Sequence, residues 1–187
     1  MNDSFSDGQI FSHLKKPEPG AYDNCRFTDC DFSGADLSDI KFLECEFSSC
    51  NFGLARLHKT SFRDVRFINC KLLGLHFEDC DNLIISFEFD GCSLDLSSFC
   101  KLKLKNTKFK NSKIAEVDFT DADLSNSLFD DCDLQRATFI NTNLENADFR
   151  TSFNYSIDPE LNRIKKAKFS LHAVSGLLDK YDIEIEK

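Results

Sequence analysis

The stretch NCRFTDCDFSGADLSDIKFLECEF, Asn24 to Phe47, places a large apolar residue at every fifth position: Phe27, Phe32, Leu37, Phe42 and Phe47. Two residues before most of them stands a small side chain: Cys25, Cys30, Ala35 and Cys45. Five is the period of neither a helix nor a flat strand. It suits a chain that turns a corner every five residues. Four corners close a square coil, and successive coils stack through backbone hydrogen bonds at a strand spacing of about 4.8 Å. The spacing therefore predicts an all-β solenoid in which each coil touches mainly its neighbours. The fifth residue points inward, the small residue two before it points inward into a tighter space, and the rest face water.

The pattern is long. Its centres run from Tyr22 to Phe77, slip by seven residues, and resume from Ile84 to Phe149; fifteen of the 20 Phe lie on it. A coil of four such sides stacks residues 20 apart. If the seven-residue step is a two-residue bulge, one column reads Phe27, Phe47, Phe67, Phe89, Phe109, Phe129, Phe149, without a break. The neighbouring columns start at Phe32, at Leu37 and at Tyr22, with Ile84 in the last. Each buried Phe or Leu contributes roughly 1.5–3 kcal/mol by area, so this spine is the expected source of stability. Three segments follow: a leader over 1–20, the β-helix over 21–153 with a bulge near 80–86, and a closing segment over 154–187.

Composition narrows the function. The net charge of −9 disfavours direct nucleic-acid binding. Neither a secretory leader nor an apolar run long enough to cross a bilayer is visible, and nine Cys is an odd number without a compact disulfide framework. A cytoplasmic protein with free thiols is expected. Eight Cys hold the small inward position, whereas Cys100 faces out. Cys30, Cys50, Cys70 and Cys92 share one straight column, which does not converge as a metal site must, so they read as packing residues and no metal or cofactor is expected. His13, His58, His76 and His172 are scattered and no nucleophile, phosphate-loop or zinc-protease motif occurs. A filled, narrow interior leaves no substrate cavity, so an enzyme is not expected.

Repeats such as ADLSD (Ala35–Asp39), ADLSN (Ala122–Asn126) and ADFRT (Ala147–Thr151) resemble the pentapeptide-repeat family, which implies a right-handed quadrilateral β-helix. The opening stretch, FRDVRFINCKLLGLHFEDC (Phe62–Cys80) and the closing NYSIDPELNRIKKAKFSLHAVSGLLDKYDIEIE (Asn154–Glu186) are similar to the Qnr-type topoisomerase-protection group. That resemblance implies a homodimer joined at its C-terminus, shaped and charged like duplex DNA. Such a dimer binds type II topoisomerases, DNA gyrase or topoisomerase IV, and protects them from fluoroquinolones or peptide toxins. Relatives in the best-known branch carry two projecting loops; here there is one short interruption.

Four surface features are candidates for contact. Nine acids, Glu116, Asp118, Asp121, Asp123, Asp130, Asp131, Asp133, Glu145 and Asp148, face one base, Arg136, within 116–148. They read as a phosphate-mimicking surface, although Asp before a centre is also an ordinary turn residue. The lysines of KLKLKNTKFKNSK, Lys101 to Lys113, read mainly as counter-charges to neighbouring acids. Arg26, Glu46, Arg66, Glu88 and Lys108 alternate in sign up one column in the same sense. The bulge, Asp81, Asn82, Leu83 and Ile85, is expected to turn an apolar side chain outward, with Phe87 in a place meant for a small residue. In the tail, Leu171, Val174, Leu177 and Leu178 share one face of an amphipathic helix capped by Ser170, and Ile183 and Ile185 alternate along a strand. These six are expected to dimerise the chain. A scaffold or adaptor with another protein partner is the alternative function.

Overall fold

A computed structural model describes residues 4–186. The chain winds into a parallel-strand β-solenoid with four faces, and among the described residues helical structure is limited to three short 3-10 turns. Face 1 carries the Tyr22 column and is a four-stranded sheet of Ser4–Asp7, Gly20–Asp23, Lys41–Leu43 and Ser61–Arg63. Face 2 carries the Phe27 column and is a seven-stranded sheet running from Ile10–Ser12 to Leu128–Asp130. Faces 3 and 4, the Phe32 and Leu37 columns, are joined by isolated parallel bridges such as Asp31↔Asn51 and Asp36↔Arg56. The register is 20 residues per coil, as in Phe27↔Phe47, and 22 across the bulge, as in Phe67↔Phe89.

The Phe column is longer than the repeat suggests. Its rings stack face to face from Phe11 on Phe27 (4.9 Å) through Phe47 on Phe67 (5.3 Å) and Phe67 on Phe89 (5.4 Å) to Phe149 on Phe169 (5.4 Å). Neighbouring columns meet it edge-on, as Phe42 meets Phe47 at 5.1 Å and 79°. Both geometries are favourable for aromatic quadrupoles. Residues 4–14 thus pair with the first full coil rather than leading into it: Ser4 lies opposite Gly20 and Phe11 opposite Phe27, a register of 16. At the other end the coil continues past Phe153. Arg163 bridges Asn143, Lys168 bridges Asp148, and Tyr155 and Ile157 fill the interior while Phe153 is 43% exposed.

The bulge departs from expectation at Ile84, which is not a core residue but 54% exposed. Phe87 replaces it. It occupies a small-residue position, opposite Val65, and its ring packs against Phe62 (5.7 Å) and Phe77 (5.2 Å). One large ring from the corner fills the space left by the displaced centre.

Two rules govern most corners. First, the residue two after a centre is left-handed, φ between 49° and 66°, from Asp29 to Asn146 except beside the bulge, where Phe77–Asp79 forms a 3-10 turn instead. The chain fills this place mostly with Asn, Asp and Gly, which bear that conformation at least cost. Second, most of the thiols and hydroxyls in the small inward position donate a hydrogen bond. Cys50 Sγ donates to the Phe27 carbonyl (3.5 Å), Cys70 to Phe47 (3.3 Å), Cys92 to Phe67 (3.3 Å), Ser97 Oγ to Leu72 (2.6 Å), Thr142 Oγ1 to Phe119 (2.9 Å) and Ser152 to Phe129 (2.8 Å). Each satisfies a buried carbonyl on the coil below, at the corner where the ladder cannot reach it. The cysteines are therefore donors as well as filler.

The expected tail helix over 170–181 and strand over 182–186 do not form. Two 3-10 turns, Val174–Leu177 and Asp179–Tyr181, take the helix's place, and 182–186 has no ladder partner. The reason lies at Gly176, which sits directly on Tyr155: a β-carbon there would be 2.0 Å from the Tyr155 carbonyl oxygen. Its own carbonyl accepts the Ile157 N–H (2.9 Å), and Lys180 Nζ holds Asp158 (2.8 Å) and Glu160 (2.6 Å). A short helix with a central glycine is marginal alone. Contacts with the last coil decide its path, and the segment closes the end of the stack.

Candidate partner-binding surface

The nine acids of 116–148 divide by what each touches. Asp118, Asp123, Asp133 and Asp148 precede centres, and each Oδ1 accepts the backbone N–H two residues on, at 2.8, 3.1, 3.2 and 3.2 Å. Asp31 and Asp36 do the same with Ser33 and Ser38. Glu116, Asp121 and Asp131 occupy left-handed corners, φ 58°, 58° and 52°. Asp130 accepts the Thr151 hydroxyl (2.9 Å).

Counter-charges come mostly from neighbouring coils. Glu116 pairs with Arg136, Asp123 with Lys105 (3.3 Å), Glu145 with Arg163 (3.0 Å), and Asp148 with Arg150 (2.7 Å) and Lys168 (3.6 Å). The Arg150 guanidinium holds the Asp148 carboxyl below its ordinary range. Burial works against ionised Asp123, but hydrogen bonds from Ser125 and Lys105 overcome it and its pKa also falls. Asp118, Asp121, Asp130, Asp131 and Asp133 have no ion-pair partner among the described residues. Asp118 and Asp121 lie on face 4; Asp130 and Asp131 lie on face 2 and Asp133 on face 3, one coil further along.

Of the six lysines in 101–113, three are paired: Lys105 with Asp123, Lys108 with Glu88 (2.5 Å) and Lys113 with Asp95 (3.1 Å). Arg26 and Arg66 both clasp Glu46, at 2.9 and 2.8 Å. Such exposed pairs contribute little each. They do give the rod alternating bands of charge, with lysines directly beneath the acidic coil.

At the bulge Leu83 is 87% exposed, while Ile85 packs partly against the core. Asp81 Oδ1 accepts the Leu83 N–H (3.3 Å), and Ser86 Oγ donates to Asp64 Oδ1 (2.6 Å). A groove of about 550 Å³ lies at its foot, lined by Arg66, Glu88, Lys105 and Lys108 among others. In the tail Leu171, Val174, Ile183 and Ile185 are exposed, whereas Leu177 packs partly onto the core and Leu178 is half-buried.

Eight thiols are buried and Cys100 is half-exposed. Burial pushes Cys45 and Cys132 up to about 12, so they remain protonated at neutral pH. No group of three or more His, Cys, Asp or Glu side chains converges on a metal position among the described residues. Among the same residues no helix is long and apolar enough to cross a membrane.

The left-handed corners are the feature that period counting passed over. Asn, Asp or Gly two after most centres was the available signal, and it accounts for Asp121 and Asp131 without a partner. The ion pairs carry a signal too, since the members of most stand 18 or 20 residues apart.

No curated protein matches the chain significantly. Among solved structures, a trypsin-treated variant of QnrB1, a plasmid-mediated fluoroquinolone resistance protein, is similar with a TM-score of 0.65 and 19% identity, over 99% of this chain and 100% of that one. Full-length QnrB1 gives 0.56 and 18%, over 96% and 100%. HetL, a pentapeptide-repeat protein involved in heterocyst differentiation regulation in the cyanobacterium Nostoc, gives 0.48 and 14%, over 89% and 84%. At these identities the likeness is one of fold. The family model for the pentapeptide repeat region matches residues 22–88 and 83–153, most of the coiled length, and the chain belongs to the pentapeptide-repeat family.

Proposed function

We propose that this protein is a non-enzymatic DNA mimic that binds a type II topoisomerase and protects it from inhibitors such as fluoroquinolones or peptide toxins. The observation that carries the reading is the group of five carboxylates without ion pairs, Asp118, Asp121, Asp130, Asp131 and Asp133, held on rigid coils. They fall within two coils, about 10 Å of rod. Duplex DNA presents about six phosphate charges over that length, so the local charge density is comparable. End-to-end likeness in fold to QnrB1, itself a fluoroquinolone resistance protein, supports the same reading. The outward Leu83 of the bulge would add an apolar contact where relatives use longer loops.

The reading includes a homodimer joined through the tail. Leu171, Val174, Ile183 and Ile185 leave apolar surface uncovered at the C-terminal end, with Leu161 beside them at 51% exposure. Leu177 and Leu178 would support that interface from below. Sedimentation equilibrium tests it: a dimer for the native chain and a monomer for Leu171→Asp/Ile183→Asp is the expected pair of results.

A scaffold or adaptor role is favoured by the backbone-capping and ion-paired acids, whose work is internal to the rod. A supercoiling assay with purified gyrase separates the two readings. The native protein is expected to restore supercoiling in the presence of a fluoroquinolone, or to inhibit gyrase at high dose. Asp121→Lys/Asp130→Lys/Asp131→Lys should lose both effects while melting near the native temperature. No effect of the native protein in either arm would favour the scaffold.

A further inference from the structure

The small inward position of face 3 holds Cys30, Cys50, Cys70 and Cys92 on four successive coils, and all four are buried. Parallel bridges at the following residues, Asp31↔Asn51, Asn51↔Lys71 and Lys71↔Ser93, keep them in register. Each sulfur makes the same two contacts. One is to the carbonyl of a centre on the coil below, at 3.9, 3.5, 3.3 and 3.3 Å up the column. The other is to the carbonyl two residues back along the chain, at 3.4, 3.4, 3.4 and 3.5 Å. Like contacts mean like rotamers, so the sulfurs repeat with the coil, about 4.8 Å apart. On face 2, Cys25 and Cys45 stack in the same way. The position does not require sulfur, since Ser112 and Ser152 hold it further along face 3, with Cys132 alone between them.

A straight column cannot surround an ion with four donors. Linear coordination asks only for two donors on opposite sides. A metal–thiolate bond is about 2.3 Å, so two in line span about 4.6 Å, close to the coil spacing. We propose that the stacked thiols Cys25–Cys45, Cys30–Cys50 and Cys70–Cys92 each bind one soft divalent ion of linear preference, of which the mercuric ion is the type. Thiolates select soft ions. The ion takes the place of two thiol protons: two S–H bonds break, two metal–sulfur bonds form, and both protons leave to solvent with no change of oxidation state. Charge selects a divalent ion, because two thiolates and one such ion sum to zero, which a dry interior accepts. A monovalent ion would leave a net negative charge there at high cost. The sites lie inside the rod and do not depend on the topoisomerase reading.

The probe is mercuric chloride, equilibrated with the full chain in a large excess of a monothiol and then dialysed. The monothiol strips an ion held by one sulfur, whereas a second sulfur fixed in place acts at high effective concentration and keeps it. The native chain is expected to retain three ions, one for each stacked pair. Cys50→Ser/Cys92→Ser leaves Cys30 and Cys70 two coils apart and should retain one, a threefold loss. Cys80→Ser/Cys132→Ser removes as many thiols but no pair, and should retain three. X-ray absorption of the native complex should find two sulfurs per ion at about 2.3 Å in line. The ion should also raise the melting temperature of the native chain, because it binds the folded state. The proposal is overturned if the native chain retains no ion, or if the two double variants retain the same number. Three or four sulfurs around each ion, or a fall in melting temperature on binding, overturns it independently of either variant, since both would place the ion on opened chain.

Discussion

The two halves of the solenoid solve the same corner with different atoms. From the first coil to the one just past the bulge the small inward position is rich in thiols, from Cys25 to Cys92; after it hydroxyls outnumber thiols, from Ser97 to Ser152. Both reach the carbonyl of a centre on the coil below, the thiols at 3.3–3.5 Å and the hydroxyls at 2.6–3.0 Å. A thiol fills the space well and donates weakly, while a hydroxyl is smaller and donates strongly. One half thus leans on packing and the other on hydrogen bonding, around an unchanged Phe column.

If the column is common to both, its loss should cost the same in either half. Phe67→Ala and Phe109→Ala each remove a ring stacked on two neighbours, Phe67 at 5.3 and 5.4 Å and Phe109 at 5.2 and 4.7 Å. Urea unfolding should show a loss of about 3–5 kcal/mol for each. A clear gap between the two would mean that the halves also differ in how their cores close.

The corners themselves should separate the halves. Ser97→Ala leaves the Leu72 carbonyl without its 2.6 Å donor and the Leu75 N–H without its 3.0 Å acceptor, both buried. It should cost about 1–3 kcal/mol in urea unfolding. Cys50→Ala loses a 3.5 Å thiol contact and a sulfur's volume, and should cost about 1 kcal/mol. Equal losses would show that the small residue acts by volume alone.

How much of this is legible in the sequence follows from where each signal lives. The square coil, the four columns and the bulge were readable because period five and period 20 are written in residue type. Phe11 and Phe169 escaped because the first coil is four residues short and the last wanders between Tyr155 and Asn162. The tail was misread because its helical pattern is real but Gly176 serves a contact with Tyr155 that no local pattern records. The acids are legible as a group, and the four before centres as turn residues, but their ion pairs are not, since the partners Arg163 and Lys105 come from other coils.

Alkaline pH offers a finer separation. Burial raises Cys45 and Cys132 to about 12, above an ordinary thiol near 8.5–9. A raised folded pKa means the stabilisation is complete below about pH 9 and is lost as pH climbs toward 12. Of the buried thiols, Cys30, Cys45, Cys70 and Cys80 are raised in the N-terminal half and Cys132 alone beyond Cys92, so the N-terminal half should open first. Pulsed alkylation read by mass spectrometry should label Cys100 alone near neutral pH, slowly, since burial and the Asp118 carboxylate raise it too. Near pH 10.5 the cysteines from Cys25 to Cys92 should label before Cys132. Simultaneous labelling would mean that the rod opens as one unit.

The smallest effect is expected where a hydroxyl is present and does nothing. Tyr155 is buried in the last coil between Phe149 (5.9 Å) and Phe169 (5.5 Å), and its hydroxyl has no hydrogen-bond partner. Burial raises its pKa, consistent with a phenol cut off from water. Ser97, Ser112, Ser127, Thr142 and Ser152 repay their burial with a bond to a carbonyl, and this hydroxyl does not. Tyr155→Phe keeps the ring and removes only the stranded oxygen, so the melting temperature should hold or rise by about 1–3 °C. A fall would mean that the hydroxyl bonds a group supplied from outside the chain, which in the homodimer proposed above would be a second tail.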